Sequence, residues 1–395
     1  MTIPVEEPGI VPDGRQLSEL THYSTSTRMV YRRRILLATR VRALLGLSLA
    51  AILTLTVGVH RLFADGTIRA RDVPVDSTTI PVGGGPLAVV VNPKGKYAYI
   101  ANNGGDTVSI IGAASNHVTE TVPLRISPTS LAISPNGRTL YVSSDLGATT
   151  NMRPAVAIIN ASTGKVTKYL NVGGASDDVI FSPNGLAAYV AGSSGITIID
   201  TATQRISGTI SVAPNPQTIA ISPDGQTLYV VTEYSITSRP AGSLLQVVNV
   251  ATRTVQSTIH QNGLAPFGLA VNPRGSALYE TFAGGASVTN VAVKVLNTST
   301  NKIVSTILIA AGARGVAFSP NGKQAYVCNA DGSGISVINT ASPSIERTIG
   351  LNTASLGPQP WAIAINPDGS RAYITNFAFL DRTLGTVTVL DLAKS

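Results

Sequence analysis

The sequence has very few of the residues that build metal and redox sites. Its 395 residues include one cysteine, Cys328, and four histidines, of which only His117 and His260 lie beyond residue 76. A single cysteine cannot form an internal disulfide or a thiolate metal site, and the two histidines lack the spacing of metal ligands. We therefore expect no bound metal, and we interpret Cys328 as a small buried hydrophobic residue.

Charged and aromatic residues are also scarce, at 13% and 5% of the chain, whereas 44% of the residues are hydrophobic. This composition excludes a disordered chain and argues against long exposed helices. No glycine-rich phosphate loop follows a strand and opens a helix, and no histidine stands where it would activate a serine. We expect neither a catalytic set nor a cofactor.

One uncharged run interrupts the N-terminal region. Residues 43–59 carry no charge, and six arginines precede them between Arg28 and Arg42. The length is at the short end for a membrane span, and the arginines favour a cytoplasmic N-terminus. We predict a cytoplasmic tail at 1–42, disordered and Arg-rich at its end, a transmembrane signal anchor at 43–59 and a linker at 60–76. The alternatives are the h-region of a cleaved signal peptide, which would make the protein secreted, and a buried helix of a soluble domain.

Beyond the linker, one turn pattern recurs seven times. "SPNGKQAYVCN" from Ser319 and "NPDGSRAYITN" from Asn366 are two of the copies. The turn glycines are Gly95, Gly137, Gly185, Gly225, Gly275, Gly322 and Gly369. A tyrosine follows each glycine by four residues, and the glycines are 40 to 50 residues apart. A fixed period of this length indicates an array of structural repeats.

Each repeat contains four strand-like segments. A short apolar run precedes the turn, the tyrosine strand follows it, and a third apolar and a fourth, more polar segment complete the unit. The last repeat stops after its third segment, and "STTIPVG" from Ser77 matches a fourth segment ahead of the first repeat. We predict that this N-terminal strand completes the last sheet, which removes its open edge.

The tyrosine strands carry a family resemblance. "YVCN" from Tyr326, "YITN" from Tyr373 and "YIAN" from Tyr99 resemble the repeat of the bacterial YVTN-type seven-bladed β-propellers, over about residues 77–391. The proline of that family's repeat is present in five units, whereas Ser176 and Ala313 replace it in the other two. The resemblance implies an all-β seven-bladed propeller at 77–395, with four antiparallel strands per blade, preceded by one transmembrane helix.

The candidate ligand site follows from comparing equivalent positions. Propellers bind ligands where their inner strands begin, and the residue after the proline position should line that mouth of the channel. These residues are Leu87, Thr129, Asp177, Gln217, Phe267, Arg314 and Trp361. Because they vary while structural positions repeat, we predict a site at Asp177, Asp178, Gln217, Phe267, Arg314 and Trp361. Long loops after Ser144, Glu233 and Asn376 should share this face. Alternatively, these residues are unconstrained surface, and Asp177 only pairs with Arg314 or water.

Three functions remain open on this evidence. The first is a membrane-anchored extracytoplasmic scaffold of the cell envelope that binds a protein or a small molecule. The second is a lactonase- or lyase-like propeller enzyme acting on a small ring, although the histidine that such enzymes use is missing from the mouth. The third is nucleic-acid binding, which the net charge of +4 on residues 62–395 does not favour. A single tryptophan also excludes the repeated pattern of quinone-cofactor propellers.

Overall fold

The chain divides into two units, Met1–Ile68 and Arg69–Ser395. The computed structural model describes residues 76–145, 155–193, 195–234, 242–262, 265–283, 292–309, 312–330, 334–351, 359–378 and 385–394, all within the second unit. The predicted tail, anchor and nearly all of the linker lie outside the described residues, as do most of the three long loops. Among the described residues, no helix has the length and apolar character needed to cross a bilayer.

Within the described residues, twenty-eight strands form seven sheets of four, so the repeats are the blades of a seven-bladed β-propeller. Blade 1 contains β2 (Pro86–Val91), β3 (Tyr97–Asn102), β4 (Thr107–Gly112) and β5 (His117–Pro123). Blade 2 contains β6 (Ser127–Ile133), β7 (Thr139–Asp145), β8 (Ala155–Asn160) and β9 (Val166–Asn171). Blade 3 contains β10 (Ser176–Phe181), β11 (Ala187–Gly192), β12 (Gly195–Asp200) and β13 (Arg205–Ile210). Blade 4 contains β14 (Pro216–Ile221), β15 (Thr227–Tyr234), β16 (Gly242–Asn249) and β17 (Thr254–Asn262).

The remaining blades follow the same plan. Blade 5 contains β18 (Ala265–Val271), β19 (Ala277–Ala283), β20 (Ala292–Asn297) and β21 (Lys302–Leu308). Blade 6 contains β22 (Ala313–Phe318), β23 (Gln324–Asn329), β24 (Gly334–Asn339) and β25 (Ser344–Gly350). Blade 7 contains β26 (Gln359–Ile365), β27 (Arg371–Phe377), β28 (Gly385–Asp391) and the N-terminal β1 (Ser77–Val82); a short 3₁₀ helix, Leu392–Lys394, follows.

The predicted closure of the ring is confirmed. β1 pairs antiparallel with β28 from Ser77 opposite Leu390 to Val82 opposite Gly385. The inner strands also contact one another in sequence, and β26 of blade 7 contacts β2 of blade 1. The chain therefore closes the last blade with its own first strand, which gives that blade four strands like the six others.

The repeated tyrosines pack each blade against the next one, as predicted. All seven are at most 4% exposed. Tyr99 of blade 1 packs with Leu131 and Leu140 of blade 2, and its hydroxyl donates to the Ala161 carbonyl at 3.2 Å. Tyr373 of blade 7 packs with Val89 and Ile100 of blade 1. Seven apolar clusters thus join the seven blades. Cys328 is fully buried in one of them, as expected.

The turn glycines have two roles. All seven adopt positive φ, between 68° and 76°, which a residue with a Cβ rarely accepts. They also lie against the turn of the preceding blade: a Cβ on Gly322 would be 3.3 Å from Cδ of Pro273. The same spacing recurs between Gly185 and Pro135, at 3.4 Å. The turns therefore stack around one end of the ring.

Closure predicts a stability effect at a single side chain. Ile80 of β1 is 3% exposed and packs against Val387 and Val389 of β28. We expect Ile80→Ala to lower the free energy of unfolding by about 2–4 kcal/mol, because it leaves a cavity at the closing strand. Urea denaturation of the purified protein measures this. The matched control is Thr79→Ala on the opposite, exposed face of β1, which should change stability by at most ~0.5 kcal/mol. Equal stability of both variants would contradict the closure.

Candidate functional site

A β-bulge opens every inner strand. The pairing of inner and second strands is regular except at its first residues, where the inner strand carries one extra residue. The bulges contain the seven residues predicted to line the mouth: Leu87, Thr129, Asp177, Gln217, Phe267, Arg314 and Trp361. A bulge changes the direction of a side chain relative to the regular strand. The fold therefore gives these positions a conformation of their own in every blade.

Three of the predicted residues form one stack across blades 5 to 7. The Arg314 guanidinium carbon lies 3.8 Å from the ring centre of Phe267 and 4.2 Å from that of Trp361. A further ring, Phe377, packs against Trp361 with 5.0 Å between centroids. Guanidinium groups bind aromatic faces through cation–π attraction, and this stacking fixes the plane of the group. Phe377 was not predicted, because it lies at the end of a second strand rather than in a bulge.

Close backbone contacts hold this stack in position. Thr281 Oγ1 accepts a hydrogen bond from the Gly268 N–H at 2.8 Å and donates one to the Arg314 carbonyl. A Cβ on Gly268 would be 2.6 Å from the Arg314 carbonyl oxygen, and one on Gly315 would be 2.8 Å from the Cα of Ala362. The two glycines thus let three inner strands approach one another and bring Arg314 into contact with both rings.

On the other side of the ring, Asp178 joins three blades. Its carboxylate accepts hydrogen bonds from Ser130 Oγ of blade 2 at 2.7 Å and from Thr218 Oγ1 of blade 4 at 3.2 Å. The backbone N–H groups of Val179 and Ile219 also donate to it, at 2.9 and 3.0 Å. Burial raises the pKa of the Asp178 carboxyl although these bonds act to lower it. Asp178 therefore links neighbouring inner strands.

The predicted set thus divides into separate groups. Phe267, Arg314 and Trp361 come together on blades 5 to 7, whereas Asp178 is bonded to Ser130 and Thr218, which were not predicted. Asp177 and Gln217 lie in their bulges and are partly buried. Ligand binding by these residues stays a prediction.

The described residues contain no cluster of three or more His, Cys, Asp or Glu side chains arranged to hold a metal. His117 and His260 are exposed on outer strands. Burial raises the pKa of the Cys328 thiol, which keeps it protonated and unreactive.

A buried charged cluster in blade 5 escaped the sequence analysis. Glu280 is 2% exposed, and it follows the repeated tyrosine where the six other blades have valine or isoleucine. Gln261 Nε2 donates to Glu280 Oε2 at 2.6 Å, and Lys294 Nζ donates to Gln261 Oε1 at 2.6 Å. Lys294 also lies 4.5 Å from the ring centre of Phe282. Comparing the residues after the seven tyrosines would have revealed this exception.

Burial sets the charge state of this cluster. It raises the pKa of Glu280 to about 7, against the opposing effects of Gln261 and Lys294. Burial also lowers the pKa of Lys294, while Glu280 acts to raise it. Within the described part of the chain, Glu280 Oε1 has no hydrogen-bond partner. The protonated form of the carboxyl is thus favoured in the folded state.

Comparisons with known proteins agree with the fold. No family model matches the chain. A curated relative, the seven-bladed beta-propeller protein Rv1057 of Mycobacterium tuberculosis (strain ATCC 25618 / H37Rv), is 28% identical over 179 residues. That match spans 44% of this chain and 35% of the relative, about a third of its length. Among solved structures, a chain of Kuenenia stuttgartiensis hydrazine synthase superposes with a TM-score of 0.69 at 20% identity, over 84% of this chain and 100% of that one. This likeness shows the shared fold alone.

The Glu280 cluster predicts a pH dependence of stability. The carboxyl has a pKa of about 7 in the folded protein and an ordinary value of 4.5. Between these values the folded state binds more protons than the unfolded state, so the free energy of unfolding should fall as the pH rises. We expect a loss of about 2 kcal/mol between pH 5 and pH 8 that Glu280→Gln abolishes. Urea denaturation at the two pH values measures it. Glu120→Gln, at an exposed position, should keep the wild-type pH dependence; a Glu280→Gln variant that keeps it too refutes the assignment.

Proposed function

We propose that this protein is a membrane-anchored extracytoplasmic β-propeller of the YVTN type, which binds a ligand or a partner protein at the mouth of its central channel. The stack of Phe267, Arg314 and Trp361 is the observation that carries the proposal. The bulge positions of blades 5 to 7 combine a cation with aromatic rings there. Long, variable side chains on a rigid scaffold are typical of a binding site.

The stack suggests an anionic group on the ligand. Phe267 and Trp361, whose ring centres are 5.9 Å apart with the ring planes at 85°, pack against adjacent sides of the Arg314 guanidinium, and in this proposal the ligand meets the group through its N–H donors. That geometry matches a carboxylate or a phosphate, which accepts two parallel hydrogen bonds. The ligand in this proposal is a small molecule, or a protein side chain or terminus, that carries such a group.

The proposed location of the protein in the cell depends on the sequence. The uncharged residues 43–59 and the arginines ahead of them support a single span with the N-terminus in the cytoplasm and residues 77–395 outside. The YVTN-like strands support a role at the cell envelope. The lactonase- or lyase-like alternative has less support, because Asp178 already accepts four hydrogen bonds and both histidines of the described residues are on outer strands.

A ligand screen tests the proposed site at the mouth, and binding of any compound found should depend on Arg314. We expect at least one member of a panel of carboxylates and phosphate esters to raise the melting temperature of the wild-type protein. Arg314→Lys should lose at least about tenfold in affinity for that compound, since lysine keeps the charge but not the planar donor pair. Thermal unfolding followed by isothermal titration measures both effects.

Leu87→Ala is the matched control, because it changes the equivalent bulge residue of blade 1. It should bind the compound as the wild type does. A screen without binders, or binding that Arg314→Lys leaves unchanged, would remove the proposed site. Lactone hydrolysis above the uncatalysed rate would favour the enzyme instead.

The anchor is tested separately in intact cells. Cys328 is fully buried, so a cysteine placed at the exposed Ser211, at the mouth end after β13, should provide the reactive thiol of the propeller. We expect a membrane-impermeant maleimide to label Ser211→Cys in whole cells but not the wild-type protein, and the protein to stay in the membrane during a carbonate wash at high pH. Release of the intact protein by that wash, or labelling only after lysis, contradicts the proposed anchor and topology.

A further inference from the structure

One end of the propeller consists of short turns. Thirteen turns connect the inner to the second strands and the third to the outer strands, and we call this end the turn face. Hydrogen bonds join the two kinds of turn: Thr201 Oγ1 donates to the Gly185 carbonyl at 2.6 Å, and Thr340 Oγ1 donates to the Gly322 carbonyl at 2.7 Å. The turn face is therefore one continuous surface opposite the mouth.

The turn face is strongly basic. Counted with the strand residues that flank them, the thirteen turns hold ten Lys or Arg and three Asp. The basic residues are Lys94, Lys96, Arg138, Lys165, Arg205, Arg253, Arg274, Lys302, Lys323 and Arg371. Asp76, Asp391 and Lys394 lie at the same end, where β1 begins and β28 ends, and the remaining described residues hold five Lys or Arg and eight Asp or Glu. The propeller is thus polarised, although its overall charge is small.

Exposed apolar side chains share this end of the molecule. Leu186 is 67% exposed and occupies the position after the turn glycine, where the six other blades have a polar or charged residue. Of the six exposed large hydrophobic residues in the described part of the chain, four lie in a turn of this face or within two residues of one: Tyr97, Leu186, Ile206 and Ile303. Basic residues combined with apolar side chains are typical of surfaces that adsorb to anionic membranes.

The chain also enters the propeller at this end. β1 runs antiparallel to β28, and the Asp391 N–H donates to the Asp76 carbonyl at 3.2 Å where β28 ends. Residues 60–75 separate Asp76 from the predicted span at 43–59. A chain of that length reaches at most about 60 Å when fully extended. An anchor at 43–59 would therefore hold the turn face close to the bilayer.

From these observations we infer that the turn face docks on the anionic phospholipid surface of the membrane in which the chain is anchored, with the mouth directed away from it. This inference rests on the proposed anchor. Each basic residue near an anionic bilayer strengthens adsorption about fivefold, and this attraction extends only over the ~8 Å of ionic screening at physiological salt. A tether of at most about 60 Å raises the effective concentration of the turn face at the bilayer, and Leu186 and Tyr97 can enter the headgroup region.

The inference is tested on the full chain in nanodiscs of phosphatidylcholine or of phosphatidylcholine with phosphatidylglycerol. Acylation followed by mass spectrometry measures the exposure of Lys94, Lys96 and Lys323. Every protein in the test also carries Ser211→Lys, at an exposed position after β13 on the opposite end, as the internal reference. We expect labelling of the three turn-face lysines to fall about fivefold in the anionic discs and to recover at high salt. Equal labelling of these lysines in both kinds of disc overturns the inference while leaving the anchor intact.

Variants of the surface sharpen the test. Combined Arg138→Glu and Arg274→Glu should remove the protection of Lys94 and Lys323 in anionic discs, whereas Arg125→Glu, outside the turn face, should preserve it. Melting temperatures confirm that each variant is folded. Protection that survives the double substitution contradicts the inference.

Two further outcomes separate the hypotheses. If the chain leaves the discs in high-salt buffer, the proposed anchor is wrong. Flotation with phosphatidylglycerol vesicles at low salt then tests the turn face alone. Flotation that the double substitution abolishes supports docking, whereas the absence of flotation overturns it. If a DNA duplex protects the turn-face lysines and anionic lipid does not, the surface binds nucleic acid and the inference is wrong.

Discussion

The contact between neighbouring blades is the interaction on which the rest of the structure depends. A four-stranded sheet of this size cannot bury both faces alone, and here each blade places a fully buried tyrosine into the apolar cluster that it shares with the next blade. The arrangement is stable only when the seventh blade also finds a neighbour. Pairing of β1 with β28 and contact of β26 with β2 provide that closure. Closure removes the ends of the array, and it fixes seven equivalent bulges around one mouth.

Departures from the repeat mark the places where the molecule differs from a purely structural ring. Blades 5 to 7 have Gly268, Gly315 and Ala362 where blades 2 to 4 have larger side chains, and this allows the close approach that holds Arg314 against both rings. Blades 2 to 4 carry Ser130, Asp178 and Thr218 at the same position and bond to one another. One half of the inner ring is therefore held together by hydrogen bonds to a carboxylate, and the other by backbone contact and aromatic stacking. Such asymmetry in a symmetric scaffold is what a specific ligand requires.

The two ends of the propeller have different chemistry. The turns are short and their glycines are held against the preceding blade, so this end varies mainly in charge. At the mouth, the bulge residues differ in side-chain shape from blade to blade. In the proposed arrangement, the basic and partly apolar turn face attaches the propeller to the membrane. The mouth at the opposite end binds the ligand. The Glu280 cluster belongs to neither end, since it is buried in blade 5.

The sequence by itself determined the number of blades, the order of their strands, the closing strand and the burial of the tyrosines, because each of these depends on local patterns that recur at a fixed period. It also identified Phe267, Arg314 and Trp361 as a variable set. Only the tertiary structure decided that these three side chains contact one another, that Asp178 joins three blades, that Glu280 is buried beside Lys294, and that ten basic residues from nine separate turns share one surface. These contacts join residues of different strands, blades or turns, and their distances depend on how the ring closes rather than on any local pattern.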